Sequence, residues 1–230
     1  PMSKPVVLVH GAWHGSWCWE RVTPYLDAAN IEWAAPDLPS VTDAASGANQ
    51  AEDDQVVRAA LDLLPGDEEA ILLGHSRGGM VITEAGTHPR VGHLVYLAAF
   101  LGLAQEDTTP YRSDELNNSL QIHDDGTTTV IEDLGHAVFY NEHSAEDFSW
   151  AAQQLRAQSH KPFEGESQLA WRSKPSTYVV CARDNALPPA GQRTMAARAT
   201  TTIEWETDHS PFVYRPELVA TLLIGLSVGN

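Results

Sequence analysis

The chain has little cysteine and no long apolar run. Its 230 residues include only two cysteines, Cys18 and Cys181, which are too few for a disulfide framework and match no zinc-binding spacing. No stretch approaches the roughly 20 consecutive apolar residues that a membrane-spanning helix needs. No basic segment followed by a long apolar one marks the N-terminus for export. These absences favour a cytoplasmic protein.

Positive charge is also scarce. The chain has 14 Lys and Arg against 31 Asp and Glu, a net charge of −17. A field of this sign repels phosphate backbones and anionic lipids, which argues against nucleic acid and membrane surfaces as partners. The hydrophobic content of 43% and the charged content of 20% are typical of a folded globular protein with a substantial core.

Short and almost wholly apolar runs recur along the chain and alternate with helical patterns. Runs without in-and-out alternation are typical of parallel strands that are covered on both faces. The segment 50–64 has acidic residues in its first turns and ends at Pro65-Gly66, as a helix does. The order of strand and helix predicts an α/β fold. The predicted strands are 6–9, 31–35, 70–73, 94–101, 177–182 and 202–206.

One polar and acidic stretch, 102–174, breaks this rhythm. It offers a hairpin at 120–123 and 127–131 and a helical pattern over 145–158. We interpret it as a cap inserted over the carboxyl edge of the sheet, which leaves 2–101 and 175–230 as the core. The aromatic residues of this segment either line a pocket or pack the insertion onto the sheet.

The sharpest chemical motif is Gly74-His75-Ser76-Arg77-Gly78-Gly79, which lies between a predicted strand and a predicted helix. A strand-to-helix turn with serine at its apex needs small neighbours, because the two elements approach closely at Gly74 and Gly78. Such a turn exposes the Ser76 hydroxyl at a helix N-terminus, where backbone N–H groups favour a developing negative charge. Ser76 is therefore the candidate nucleophile.

A serine nucleophile needs a histidine base, and the base needs an orienting carboxylate. His209 follows the predicted strand 202–206, where the sites of α/β proteins gather, whereas His75 adjoins Ser76 and is expected to point away from it. Asp184 follows the strand 177–182 in the same way, and Asp208 is the alternative acid. We favour Asp184, because a residue adjacent to the histidine rarely turns back to the ring.

A third motif, His10-Gly11-Ala12-Trp13-His14-Gly15, follows the first predicted strand. Acyl transfer places charge on the carbonyl oxygen of the substrate, and two backbone N–H groups must already be directed at it. We assign these donors to Ala12 and to Arg77, the residue after Ser76. The side chain of Arg77 is not expected to take part in the chemistry.

Taken together, these segments resemble the small α/β-hydrolase group that includes plant methylesterases, the salicylic-acid-binding methylesterase and hydroxynitrile lyases. The resemblance covers nearly the whole chain. The matching segments are HGAWHGSWCW (10–19), GHSRGG (74–79), LAAF (97–100), the hairpin and KPF (161–163) of the insertion, DNALPP (184–189) and DHSPF (208–212).

The resemblance implies an α/β-hydrolase fold with about six mostly parallel strands, helices on both faces and a cap. It also implies hydrolysis of small carboxylic esters without a metal or an organic cofactor. By the same resemblance, His14, Phe100 and Ser210 are expected to face the substrate pocket. The oligomeric state stays open, with a homodimer as one option.

Two positions separate the branches of this group. The lyases resemble one another in having Lys after the catalytic histidine and a hydroxyl residue after the first histidine of the N-terminal motif, whereas this chain has Ser210 and Gly11. The sequence is therefore more similar to the esterase branch. A lyase or carbon–carbon hydrolase using the same residues, and a receptor without catalysis, remain the alternatives.

Overall fold

The computed structural model describes residues 3–103, 106–161 and 164–229. The strands in these ranges form two separate sheets, one of six strands and one of three. In chain order they are β1 (Val6–Val9), β2 (Trp33–Ala34), β3 (Ala70–His75), β4 (Val91–Leu97), β5 (Leu120–Ile122), β6 (Thr127–Val130), β7 (Gln158–Ser159), β8 (Ser176–Cys181) and β9 (Thr201–Trp205).

The large sheet has the strand order β2-β1-β3-β4-β8-β9, and each neighbouring pair is parallel. Every residue of β1, β3 and β8 is buried, which explains why these strands are apolar without alternation. The edge strand β9 is partly exposed and carries polar residues on its open side. The predicted α/β fold with a six-stranded parallel sheet is confirmed.

Helices pack on this sheet in two groups. Helices α3 (Gln50–Leu63) and α4 (Gly78–Ala85) contact each other and β1, whereas α10 (Pro216–Val228) contacts α1 (Thr23–Ala28) and β3. Helix α3 begins with a capping box, in which Asn49 accepts from the Ala51 N–H group and Glu52 accepts from the Asn49 N–H group. In chain order the helices are α1 (Thr23–Ala28), α2 (Pro39–Thr42), α3 (Gln50–Leu63), α4 (Gly78–Ala85), α5 (Asp114–Asn118), α6 (Glu132–Phe139), α7 (Ala145–Ala152), α8 (Pro189–Ala196), α9 (Pro211–Tyr214) and α10 (Pro216–Val228).

The segment 102–174 holds the second, antiparallel sheet, in the order β5-β6-β7. The predicted hairpin forms β5 and β6, with Leu120 paired to Val130. The helical pattern predicted over 145–158 extends too far. The helix α7 ends at Ala152, and Gln158 lies in β7, where it pairs with Thr128 of β6. The description of this segment as a cap remains our interpretation.

The parallel strands place their carboxyl ends at one edge of the large sheet. The candidate site residues follow β1, β3, β4, β8 and β9 directly, so the topology brings five distant segments to this edge. Strand β4 ends at Leu97, earlier than predicted, because Ala98 adopts a φ of 42°. Across the described ranges, none of the helices combines the length and apolar composition needed to cross a bilayer.

Candidate active site

Ser76 occupies the apex of the turn between β3 and α4. Its φ of 52° lies in the left-handed region, which a residue with a side chain seldom adopts. Backbone strain of this kind is found where the surrounding structure fixes a functional residue. The Ser76 carbonyl accepts hydrogen bonds from the N–H groups of Gly79 at 3.0 Å and Phe100 at 3.1 Å. The turn therefore holds Ser76 at the wall of a cavity.

The glycines beside Ser76 are required by close backbone contacts. A Cβ atom on Gly74 would lie 2.6 Å from the carbonyl oxygen of Gly78. A Cβ atom on Gly78 would lie 2.7 Å from the carbonyl oxygens of Val9 and His10. Both distances are shorter than non-bonded carbon–oxygen contacts allow, so the strand-to-helix crossing excludes any side chain at either position.

His209 and Asp184 are buried and hydrogen-bonded to each other. The Nδ1–H group of His209 donates to Oδ2 of Asp184 at 2.6 Å. The same carboxylate accepts the Ala186 and Leu187 N–H groups at 2.7 and 2.9 Å and the side-chain amide of Gln192 at 2.8 Å. Four donors thus fix the orientation of Asp184, and Asp184 fixes the His209 ring with Nε2 left to act as a base.

His75 connects the Ser76 turn to the His209 loop. Its Nε2–H group donates to the carbonyl oxygen of His209 at 2.7 Å, and the two ring centroids are 4.7 Å apart. Burial, with the neighbouring His209 and His14 rings, lowers the pKa of His75 well below its usual value. The Ser76 hydroxyl makes no hydrogen bond to any described residue. The hydrogen bond between a nucleophile and its base often forms only when substrate is bound.

Ala12 and Arg77 lie at the same cavity as Ser76. Within the ranges that the structure describes, neither of their backbone N–H groups donates to a protein acceptor. Trp13, next to Ala12, has a φ of 63°, and Ser76, next to Arg77, has a φ of 52°. Each of the two N–H groups therefore lies beside a residue in the left-handed region. The two N–H groups are therefore available to an oxygen atom bound beside Ser76.

The cavity has a volume of about 400 Å³. Of the predicted site residues, Ala12, Ser76, Arg77 and Phe100 line it. Asp184 and His209 are buried and are not among the lining residues, and the His209 ring centroid lies 5.8 Å from that of Phe139, which does line the cavity. Its size suits a small organic molecule.

The arrangement of these segments matches a known family. The sequence model of the alpha/beta hydrolase family matches residues 6–222. The chain belongs to the alpha/beta hydrolase family.

Curated relatives cover almost the entire chain of this alpha/beta hydrolase. Methylesterase 2 of Arabidopsis thaliana is 27% identical over 261 residues, an alignment that covers 96% of this chain and 95% of that protein. Pheophorbidase of Raphanus sativus is 28% identical over 243 residues, with 95% of this chain and 92% of that protein covered. Both alignments therefore span nearly the full length of each protein.

Solved structures show the same fold. The crystal structure of polyneuridine aldehyde esterase superposes with a TM-score of 0.83 at 22% identity, and covers 98% of this chain and 100% of that chain. A pyrethroid hydrolase from Sphingobium faniae superposes with a TM-score of 0.82 at 25% identity, with 98% of each chain covered.

Two histidines of the N-terminal motif fix the loop that carries Ala12, which the sequence did not reveal. The Nδ1–H group of His10 donates to the carbonyl oxygen of Gly11 at 2.8 Å, and Nε2 accepts the Leu38 N–H group at 3.0 Å. The Gly11 carbonyl belongs to the same peptide as the Ala12 N–H group. His10 therefore orients that N–H group, and burial lowers the pKa of His10.

His14 holds the next peptide and does not line the cavity. Its Nδ1–H group donates to the Ala12 carbonyl oxygen at 2.7 Å, and Nε2 accepts the Tyr140 hydroxyl at 2.6 Å. Burial lowers the pKa of His14 to about 3. Both ring nitrogens are engaged inside the protein, and the ring packs against Trp17. A contact of His14 with substrate, expected from the resemblance, stays a prediction.

Ser210 also lies outside the cavity lining. It is completely buried, and its N–H group donates to Oδ1 of Asp208 at 2.9 Å. This bond fixes the Ser210 backbone just before α9 begins, and a contact of Ser210 with substrate stays a prediction. Phe100, by contrast, is among the residues that line the cavity.

Asp208, the alternative acid, is hydrogen-bonded to another histidine. Its Oδ2 atom accepts the Nδ1–H group of His143 at 2.8 Å and the Glu142 N–H group at 2.9 Å. Both side chains of the pair are completely buried. Asp208 therefore joins the His209 loop to the segment 102–174 rather than contacting the His209 ring.

The side chain of Arg77 forms an ion pair inside the protein. It donates to Oδ2 of Asp53 at 2.8 Å and to the Ser40 hydroxyl at 3.1 Å. Asp53 is completely buried, and its other oxygen accepts the Ser40 N–H group at 2.9 Å. The pair anchors the residue after Ser76 to α3, a contact across 24 residues that no sequence motif announces.

The segment 102–174 contacts the Ala12 loop through Trp13. The indole N–H group of Trp13 donates to the Thr128 hydroxyl at 3.0 Å, and the Arg156 N–H group donates to the Trp13 carbonyl at 3.0 Å. Phe139 is the one described aromatic residue of this segment that lines the cavity. Phe163 lies outside the described residues. Among the described residues, no group of three His, Cys, Asp or Glu side chains could hold a metal ion.

Proposed function

We propose that this alpha/beta hydrolase cleaves small carboxylic esters through an acyl-enzyme on Ser76. One observation supports the proposal most directly: Ser76, Ala12 and Arg77 line the same cavity, and the N–H groups of Ala12 and Arg77 donate to no described protein acceptor. The His209–Asp184 pair, fixed to the same turn through His75, supplies a base. Relatives named as methylesterases agree with this chemistry.

The proposed reaction uses these groups in turn. Ser76 Oγ attacks the ester carbonyl carbon while His209 Nε2 takes its proton, and the resulting oxyanion accepts the Ala12 and Arg77 N–H groups. Collapse of the tetrahedral intermediate breaks the bond to the alcohol oxygen, which receives the proton from His209. Water then attacks the acyl-enzyme with His209 as base, which releases the acid and restores Ser76.

Ester hydrolysis is favoured over lyase chemistry by the residue after His209. That residue is the completely buried Ser210, which carries no positive charge for a departing cyanide or carbanion. A cyanohydrin assay checks this point. If the protein cleaves a cyanohydrin and hydrolyses esters negligibly, the lyase alternative replaces the proposal.

The decisive experiment compares Ser76→Ala with Ser173→Ala on a short-chain aryl ester. We expect Ser76→Ala to lower kcat by roughly 10⁴-fold or more, because the nucleophile is lost. Ser173 is exposed and is not among the residues that line the cavity, so Ser173→Ala should hydrolyse the ester at the parent rate. A serine-directed fluorophosphonate should add its mass to the parent and to Ser173→Ala only.

Two outcomes would contradict the proposal. Equal hydrolysis by Ser76→Ala and the parent would remove Ser76 from the nucleophile position. Saturable ligand binding without product over hours, unchanged in Ser76→Ala, would favour the receptor alternative.

We further propose that the protein works in the reducing cytoplasm. Cys18 and Cys181 are both buried free thiols, which fits a reducing compartment. Fractionation of cells that produce the tagged chain tests the location. Assembly into a homodimer stays a prediction, which sedimentation velocity checks directly.

A further inference from the structure

The cavity beside Ser76 differs in charge from the chain as a whole. The protein carries a net charge of −17, yet no Asp or Glu is among the described residues that line the cavity. Three cationic side chains are there instead: Arg77, Arg112 and Lys161. Asp and Glu outnumber Lys and Arg by more than two to one in the sequence, so a cavity lining with three cationic and no acidic side chains departs from the composition of the chain.

Only one of these three charges is compensated within the protein. Arg77 is paired with the buried Asp53 at 2.8 Å. Among the described residues, no carboxylate lies within 4.0 Å of the Arg112 guanidinium or the Lys161 ammonium group. Arg112 is half-buried, and partial desolvation lowers its pKa, with Asp107 too far away to form an ion pair.

Arg112 is held in place by its own neighbours rather than by a carboxylate. Ser113 donates from its N–H group to the Ala186 carbonyl at 3.0 Å and from its hydroxyl to the Asn185 carbonyl at 2.6 Å. These bonds fix the backbone after Arg112 to the loop that follows Asp184. The guanidinium therefore projects from a fixed backbone. Among the described residues it donates only one long hydrogen bond, to the Thr108 hydroxyl at 3.5 Å, so most of its N–H groups are available to a ligand.

Acidic residues near the cavity are already engaged elsewhere. A second, adjoining pocket contains Glu84 and Glu106. Glu106 forms an ion pair with Arg198 at 2.6 Å, and Glu84 accepts the Ser167 hydroxyl at 2.6 Å and the Gln168 N–H group at 2.8 Å. Neither carboxylate forms an ion pair with Arg112 or Lys161.

Apolar side chains form most of the remaining wall, namely Ala12, Trp13, Met80, Phe100, Leu116, Phe139 and Leu187. Gln50, Ser76 and His160 add polar groups without a carboxylate, and burial together with Arg77 and Arg112 lowers the pKa of His160 to about 4. A molecule that fits this space has an apolar body and one negatively charged end, because an unpaired, partly desolvated guanidinium binds a carboxylate through short, charge-assisted hydrogen bonds.

We propose that the natural substrate carries an ionised carboxylate in addition to its ester group, and that Arg112 and Lys161 bind this carboxylate. This inference rests on the proposed ester hydrolysis at Ser76 and adds the class of substrate. The carboxylate lies either on the acyl part or on the alcohol part of the ester, and the two arms of the experiment distinguish these sources.

The experiment compares anionic esters with their neutral methyl esters. Monomethyl adipate against dimethyl adipate tests the acyl part, and para-acetoxybenzoate against its methyl ester tests the alcohol part, with rates counted per ester bond. We expect the anionic member of at least one pair to have a kcat/KM about tenfold higher or more, since hydrogen bonds to charged groups have that strength. The preference should shrink as salt is raised.

Variants assign the preference to its residues. Arg112→Gln should lower kcat/KM for the preferred anionic ester by about ten- to hundredfold and leave the neutral ester within about twofold. Lys161→Gln should have a smaller effect of the same kind, because Lys161 is exposed and hydrated. Arg172→Gln and Lys174→Gln remove the same charge away from the cavity and should change neither rate.

The outcomes separate this inference from the proposed function. If hydrolysis depends on Ser76 but the neutral esters are cleaved as well as the anionic ones, the inference is overturned and the esterase stands. An anionic preference that survives in both cavity variants overturns the assignment to Arg112 and Lys161. Hydrolysis that persists in Ser76→Ala overturns the proposed function itself. The rate on the neutral ester reports whether each variant is folded.

Discussion

His10 fixes the peptide that carries the Ala12 N–H group by donating from Nδ1 to the Gly11 carbonyl at 2.8 Å. The ring cannot turn without losing the Leu38 N–H group at its other nitrogen. A buried neutral histidine with both nitrogens engaged is a rigid support. The position of one proposed oxyanion donor thus depends on a buried side chain that is not among the residues lining the cavity.

His10→Ala should therefore lower kcat with little change in KM. We expect a loss of about 10- to 100-fold, less than the roughly 10²- to 10³-fold that follows removal of a donor itself. His10→Asn should restore part of the activity, since its amide N–H group reaches the same carbonyl. Steady-state kinetics on an aryl ester check both variants, and a rise in KM with unchanged kcat would show that His10 acts in another way.

The two candidate acids can be separated by matched substitutions. Asp184→Asn should lower kcat by about 10⁴-fold, because the His209 ring loses the acceptor that selects its tautomer. Asp208→Asn should keep kcat within about tenfold and instead destabilise the protein, because Asp208 accepts from His143 and Glu142 in a buried site. Kinetics and urea unfolding of both variants give the comparison. A large loss of kcat in Asp208→Asn would reverse the assignment.

The strands and the Ser76 turn could be predicted because their causes are local. Apolar runs such as 6–9 and 70–73 become strands buried on both faces, and Gly74 and Gly78 are needed where strand and helix cross. The edge position of β9 agrees with its weaker apolar pattern. In each case the residues that decide the structure are neighbours in sequence.

The supporting residues could not be predicted because their partners are distant. The Arg77–Asp53 pair spans 24 residues, and the Tyr140–His14 hydrogen bond spans 126. No periodicity or spacing encodes such pairings. The end of α7 at Ala152 was missed for the same reason, since β7 forms only by pairing with β6.

Acid should destabilise the fold through its buried histidines. Burial lowers the pKa of His14 to about 3, whereas in the unfolded chain it is about 6.5. Between these values the unfolded state binds a proton that the native state does not, so stability is full above about pH 6.5 and falls as pH falls toward 3. His10 and His75 shift in the same direction.

Urea unfolding at several pH values tests this linkage. Each buried histidine contributes up to about 1.4 kcal/mol per pH unit to the slope of the free energy of unfolding. His14→Gln should be less stable near pH 7, because it loses the Tyr140 and Ala12 contacts, but its slope between pH 6.5 and 4 should be shallower. An identical slope in the parent and in His14→Gln would contradict the assignment.

Alanine should destabilise the protein at Gly74 but not at Gly225. Gly74→Ala would place a Cβ atom 2.6 Å from the Gly78 carbonyl oxygen, whereas Gly225, exposed within α10, has no atom within 4 Å of its added Cβ. We expect Gly74→Ala to lower the free energy of unfolding by about 1–3 kcal/mol or more, as over-packing against backbone does. Gly225→Ala should raise it by about 0.5–1 kcal/mol through helix propensity. Thermal unfolding should shift Tm in opposite directions for the two variants, and a neutral Gly74→Ala would contradict the close crossing of β3 and α4.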